Sequence, residues 1–186
     1  YVLGEEIGTQ AAEWINEKFD DGACEVVVLG YPQTPILKQR EECILDKIAE
    51  LATNATVVAN QPAIDTTEGL NAMETILQSH PDVKVVCCIG GGGATGANEA
   101  LKGFYGSDYP EDIGIFSTDL TDETIAAMQN GEFNKVCVAI TGNSYVCGDV
   151  AYQLVIDKAS GEEMEQNVYR DLIPVSIDNL EEMIAN

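Results

Sequence analysis

The 186-residue sequence is poor in several residue types, and each scarcity excludes something. It holds a single histidine, His80, and a single tryptophan, Trp14, and only nine lysines and arginines stand against 32 acidic residues. One histidine leaves little for a Cys/His zinc site and no basis for a Ser/His/Asp or Cys/His catalytic constellation, so neither a metal nor a catalytic residue is expected. A net charge of −23 repels nucleic acid and anionic lipid, so no nucleic-acid partner is expected. No apolar run reaches the roughly 18–20 residues that a membrane-spanning helix needs. The chain opens Tyr1-Val2-Leu3-Gly4, with no Met and no basic stretch of a secretory signal. It reads as an extended stub entering a helix, as the interior of a longer protein would. No two of the six cysteines (Cys24, Cys43, Cys87, Cys88, Cys137, Cys147) form a Cys-x-x-Cys pair. Cys87 and Cys88 point to opposite faces of any strand that carries them, which suits free thiols packed as small apolar side chains.

What is present is a regular alternation. Six short runs rich in β-branched and apolar residues lie at 25–31, 56–60, 83–89, 113–117, 136–141 and 172–176. Several are continuously apolar, as strands covered on both faces are. Helical stripes fill the gaps: Ala11, Trp14, Ile15 and Phe19; Ile36, Cys43, Ile44, Ile48 and Leu51; Leu70, Met73, Ile76 and Leu77; Ile125 and Met128; Val150, Leu154 and Val155. Thr66-Thr67-Glu68 and Thr121-Asp122-Glu123-Thr124 read as helix starts. Strand and helix in turn, with short links, predict an α/β fold with a Rossmann-like parallel sheet flanked by helices.

In an open sheet of this kind ligands sit at the carboxyl ends of the strands. The third strand ends in Gly90-Gly91-Gly92-Gly93-Ala94-Thr95-Gly96, and Gly91 to Gly96 fit the G-x-G-x-x-G dinucleotide pattern between strand and helix. That pattern ordinarily opens its domain, whereas two strands and two helices precede it here. A tight strand-to-helix turn, a turn lining a cleft and a nucleotide site stay open as readings. Asp119 ends the fourth strand, either as a cap for the helix beginning near Thr121 or as an acceptor of ligand hydroxyls. Lys38 is placed to face the cleft, Arg40 reads as structural, Trp14 as core and His80 as a solvated helix C-cap.

These motifs have a joint counterpart. The strand ending at Gly30, Gln39-Arg40-Glu41, Gln61-Pro62-Ala63, Thr67-Glu68-Gly69-Leu70, Leu77-Gln78-Ser79-His80-Pro81-Asp82-Val83, Gly96-Ala97 with Glu99-Ala100-Leu101, and Ile115-Phe116-Ser117-Thr118-Asp119 resemble periplasmic sugar-binding proteins of the ribose-binding type. These share a fold with the effector domains of LacI-type regulators. The resemblance covers nearly the whole chain but only the later part of the family's length, leaving out most of the N-terminal lobe. It implies two Rossmann-like lobes closing over ligand by hinge motion. In these terms 1–4 end the first interlobe crossing, 5–134 form the C-terminal lobe, 135–168 belong to the N-terminal lobe, and 169–186 form the return crossing and tail. Without its lobe, the segment 136–158 would expose an apolar strand and helix stripe, and would dock back or swap into a homodimer.

The resemblance also implies ligand contacts. Asp119 falls on the aspartate that binds sugar hydroxyls, Lys38 on a ligand-contacting arginine, and Ile64 near an aromatic wall. Gly90 and Gly91 stand where Asn and Asp are usual, and Gly142 where a glutamine is. Leu3 and Gly4 replace the polar pair usual at the first crossing. Each lost side-chain hydrogen bond is worth about 0.5–1.5 kcal/mol, so the ligand is expected to be larger than a simple pentose or not a sugar. The glycine N–H groups with Lys38 would suit a carboxylate or phosphate. The function implied is a non-enzymatic, extracytoplasmic and lipoprotein-like solute-binding component of an ABC importer. It would partner a membrane permease, bind a carbohydrate and need no cofactor. The alternatives are the effector domain of a LacI-type regulator and a nucleotide-binding enzyme using the 91–96 run.

Overall fold

A computed structural model describes residues 2–19, 22–140, 144–165 and 168–184. The elements are α1 (Val2–Lys18), β1 (Cys24–Gly30), α2 (Pro35–Leu51), β2 (Ala55–Pro62), α3 (Thr66–Ser79), β3 (Val83–Cys88), α4 (Gly91–Tyr105), β4 (Gly114–Thr118), α5 (Asp122–Gln129), β5 (Asn134–Ile140), α6 (Ser144–Ala159), β6 (Leu172–Val175) and α7 (Leu180–Ile184). They build one six-stranded sheet in the order β2-β1-β3-β4-β5-β6. The first five strands run parallel, and β6 is antiparallel to β5.

The continuously apolar strands are explained by two covered faces. Val26 and Val28 of β1, with Val85 and Cys87 of β3, pack under α1 and α2 against Ile7, Ile15 and Ile44. Their neighbours Val27, Leu29, Val86 and Cys88 pack on the other face against Met73, Ala97 and Leu101 of α3 and α4. Cys87 and Cys88 thus part to opposite faces, and of the six free thiols only Cys147 is exposed. Trp14 is core: its ring meets Phe19 and Phe116 edge-on, with centroids 5.8 and 5.6 Å away.

Helix starts carry the expected chemistry, with one shift. Thr121 caps α5, its hydroxyl accepting from Thr124 N–H at 3.3 Å. At α3 the cap is Asp65 rather than the threonines after it. Its carboxylate accepts from Glu68 N–H at 2.8 Å while Glu68 accepts from Ile64 N–H at 2.9 Å, a reciprocal pair close to a capping box.

Four expectations need correction. The opening residues are not an extended stub, because α1 begins at Val2 and packs along α2, with Gly4 against the Arg40 backbone. The edge strand β2 runs on through Gln61 and Pro62, because its backbone pairing with Leu29 and Gly30 continues where its side chains turn polar. On α2, Ile36 and Leu51 are exposed, and the buried side is Glu41, Cys43, Ile44 and Ile48. The exposure foreseen for the strand after residue 135 does not occur: β5 pairs with β4, and Cys137, Val138 and Ala139 are buried. The exposure foreseen for the helix stripe does, with Val150 and Val155 of α6 facing outward beside Tyr152 and Ile156.

Candidate functional site

The carboxyl edge of the parallel strands gathers the polar groups that the sequence marks. β4 ends at Thr118, and the next residue, Asp119, is the only non-glycine among the described residues with positive φ, at 67°. Aspartate tolerates this left-handed conformation better than most residues, yet it is uncommon enough to point to a role. The conformation turns the exposed carboxylate across to the neighbouring strand end, where its Oδ2 accepts from Gly91 N–H at 3.0 Å. Asp119 therefore does not cap α5, which Thr121 does, but supplies the missing cap of α4, whose N-cap residue Gly90 has no side chain.

The second charge at this edge is Arg40. Its Nη1 donates to the Ile89 carbonyl at the end of β3. Burial pushes the guanidinium pKa down, and the negative charge of Asp119 partly offsets that. The sequence reading of Arg40 as a tie between helix and sheet holds, and the tie ends within electrostatic reach of Asp119. Lys38 lies two residues earlier on the exposed side of α2, 3.3 Å from Glu42 one turn on.

Glu41 was not legible as a feature of this edge. Its carboxylate is buried, with Oε1 accepting from Asn60 of β2 at 2.7 Å and Oε2 without a hydrogen-bond partner among the described residues. It lies directly over Gly30, where any Cβ would collide with Oε2. One signal was available: position 41 falls on the Ile44–Ile48 side of the helix, three residues before Ile44.

The glycine run is not a loop. Gly91 begins α4, and the run forms the helix's first turn and a half. A Cβ on Gly92 would lie 2.6 Å from the Ile64 carbonyl, and one on Gly93 2.8 Å from that of Ala63. One on Gly96 would collide with Thr66 O. These glycines let α4 approach α3 and its preceding loop at backbone distance. The amide at the helix start that a phosphate or ligand carboxylate would need already carries the Asp119 carboxylate. A second anion there meets like charge, which weighs against both a dinucleotide and an acidic ligand.

Of the expected contacts, Asp119, Gly90 and Gly91 come together at one strand edge, with Ile64 beside them at the end of β2, its backbone against Gly92 and its side chain exposed. Lys38 is drawn toward Glu42, and Gly142 lies outside the described residues. His80 sits at the opposite, amino end of the sheet as the C-cap of α3, with its Nδ1 3.6 Å from Glu25 rather than simply solvated. Among the described residues no cluster of metal-ligating side chains occurs, and no helix is long and apolar enough to cross a membrane.

Comparison with known proteins bears on the same geometry. A family model for a periplasmic binding protein domain matches residues 3–163. The ribose import binding protein of Escherichia coli K12 is 35% identical over 132 residues, covering 70% of this chain and 42% of the relative. The ABC transporter periplasmic-binding protein YphF of the same organism is 26% identical over 167 residues, covering 88% and 50%. The crystal structure of a periplasmic ribose ABC transporter from Conexibacter woesei superposes with a TM-score of 0.81 at 22% identity, covering 98% of this chain and 60% of that one. The chain thus spans half or less of the length of these curated relatives.

Proposed function

The chain belongs to the periplasmic binding protein family, and from that premise we propose that it is the larger part of one lobe of an extracytoplasmic, non-enzymatic solute-binding component of an ABC importer, with a neutral carbohydrate as ligand. The observation that carries this reading is Asp119. A carboxylate held in a left-handed conformation at a strand's carboxyl end, with one oxygen fixed by Gly91 N–H, presents its other oxygen to the edge as a charged acceptor. Sugar hydroxyls are donors that such an oxygen binds, and Arg40 beside it adds donors of the opposite sign.

The exposed side chains of α6 support placing that helix against a second lobe formed by sequence outside this chain. On this reading the segment between β5 and β6 crosses to that lobe and returns, and ligand is enclosed when the lobes close. A membrane permease would then be the partner of the closed form.

Isothermal calorimetry of the complete protein against neutral aldoses and their acidic counterparts tests the proposal. Saturable binding of neutral sugars, with no binding of uronic acids or sugar phosphates, is the expected result. Preference for the acids would sink it, because the Asp119–Gly91 contact would have to break to admit them.

A further inference from the structure

Asn130 is the only asparagine of the sequence that a glycine follows. The pair sits at the end of α5, where Asn130 is the C-cap and both residues are exposed. Gly131 has a φ of 69°, and a Cβ there would meet nothing within 4 Å. An asparagine before glycine is prone to spontaneous ring closure, because the next amide nitrogen has no side chain beside it to shield its approach.

The closed turn blocks that route. Ring closure brings the Gly131 nitrogen over the Asn130 Cβ. With ψ at −3° this nitrogen eclipses the Asn130 nitrogen instead. Three hydrogen bonds hold the turn so: Asn130 N–H to Ala126 O at 2.9 Å, Gly131 N–H to Met128 O at 3.1 Å and Asn130 Nδ2 to Glu132 Oε1 at 3.3 Å. They lie at an exposed helix end, the kind of place where a fold opens at least cost.

Glu132 gives the reaction a direction. Its carboxylate is buried, and its Oε2 accepts from Asn98 Nδ2 at 2.6 Å. The same oxygen lies 3.3 Å from Lys102 Nζ, which is also 2.9 Å from Glu99. Asn98 Oδ1 in turn accepts from Phe133 N–H at 3.2 Å, just ahead of β5. A carboxylate at residue 130 would remove the donor to Glu132 Oε1 and set a second negative charge beside it. The turn could not then re-form as before.

We infer that Asn130-Gly131 is a site of spontaneous self-modification, gated by opening of the end of α5. The Gly131 nitrogen attacks the Asn130 Cγ and gives up its proton. The bond from Cγ to the side-chain nitrogen breaks, and ammonia leaves. Water then opens the succinimide at either carbonyl. One product is an aspartate at 130, the other an isoaspartyl link that carries the backbone through the side chain. Water is the only co-reactant. The product unfastens Glu132 and, through Asn98, the start of β5.

The test incubates the complete protein at mildly alkaline pH, native and in urea, and follows each asparagine by peptide mapping with fragmentation. Conversion should appear at Asn130 before any other asparagine, as a mixture of aspartyl and isoaspartyl forms. It should run about tenfold to a thousandfold slower in the native protein than in urea, the factor by which the helix end is closed. The aged native fraction and Asn130→Asp should both melt several degrees below fresh protein. Asn130→Gln, which keeps an amide donor, should age without change at 130. Equal rates in the two conditions overturn the gate. An Asn130 still intact past the thousandfold limit, or another asparagine converting first in the native protein, overturns the site. Aged protein or Asn130→Asp that melts like fresh protein overturns the part given to Glu132. Failure of Asn130→Asp to fold agrees with that part, and the aged fraction then supplies the measurement.

Discussion

Under the proposed function Asp119 has two tasks that can be separated. Its Oδ2 accepts from Gly91 N–H and closes the start of α4, and its other oxygen would accept from ligand hydroxyls. Asn keeps the first task, because its amide oxygen can accept the same hydrogen bond and Asn tolerates positive φ as Asp does. It loses the second, because the charge is gone. Asp119→Asn is therefore expected to leave the melting temperature nearly unchanged and to weaken sugar binding by the worth of a charge-assisted hydrogen bond, about 1.5–3 kcal/mol or roughly 10–150-fold. Calorimetry alongside thermal unfolding checks both halves, and an unchanged affinity would remove Asp119 from the site. At this scale the sequence was legible where a residue type has few uses. An aspartate closing an apolar strand, in the ribose-binding pattern, singled itself out. Lys38 did not resolve, since its i, i+4 neighbour Glu42 competes for it, and a buried Glu41 is indistinguishable by type from the solvated acid next to it.

At the scale of elements, the packing of α4 on α3 is the feature most exposed to test. Gly96 and Gly103 lie on the same helix. A Cβ on Gly96 meets Thr66 O, with Leu70 N at 2.5 Å, whereas one on Gly103 meets nothing within 4 Å. Helix propensity alone would reward alanine at either site by about 0.5–1 kcal/mol. At Gly96 the steric cost wins, because backbone atoms of a packed helix cannot swing aside. Gly96→Ala should lower stability in urea by about 1–3 kcal/mol, and Gly103→Ala should raise it slightly. Element type and order could be read from the sequence because strands covered on both faces stay apolar over their length, whereas helices show a stripe. Element ends were less legible. The extension of β2 through Gln61 and the start of α1 at Val2 depend on backbone pairing and on packing against α2, and neither leaves a mark in side-chain pattern.

For the whole molecule, the covered sheet has a consequence for pH. Burial pushes the thiols of Cys24 and Cys137 up to about 12, and those of Cys87 and Cys88 up as well, from an ordinary value of 9.0. Below pH 9 both folded and unfolded chains keep these thiols protonated, and their packing contributes in full. Above it the unfolded chain ionises first, so each thiol removes about 1.4 kcal/mol of stability per pH unit until its folded value is reached. The urea midpoint under reducing conditions should fall steeply between pH 8.5 and about 11, and the Cys24→Ala/Cys137→Ala variant should fall less steeply. Equal slopes would show that lysine and tyrosine titration, not the thiols, sets alkaline stability. Fold class was legible at this scale because the alternation of strands and helices leaves few topologies. For α6 the stripe alone looks like any core stripe, and its exposure was foreseen only through the resemblance, which assigns 135–168 to the other lobe.

The connection through β5 and β6 has a mechanical meaning. The chain departs along β5 and comes back along β6, its antiparallel neighbour, where Ile140 pairs with Leu172 and Cys137 with Val175. On the proposed two-lobe reading, the body that receives α6 would be held by a double strap, not a single cord. Flexing such a strap across its plane leaves the hydrogen bonds between its two strands intact, whereas twisting it about its length shears them. A body attached in this way nods more readily than it swivels, and the sheet edge itself selects the axis.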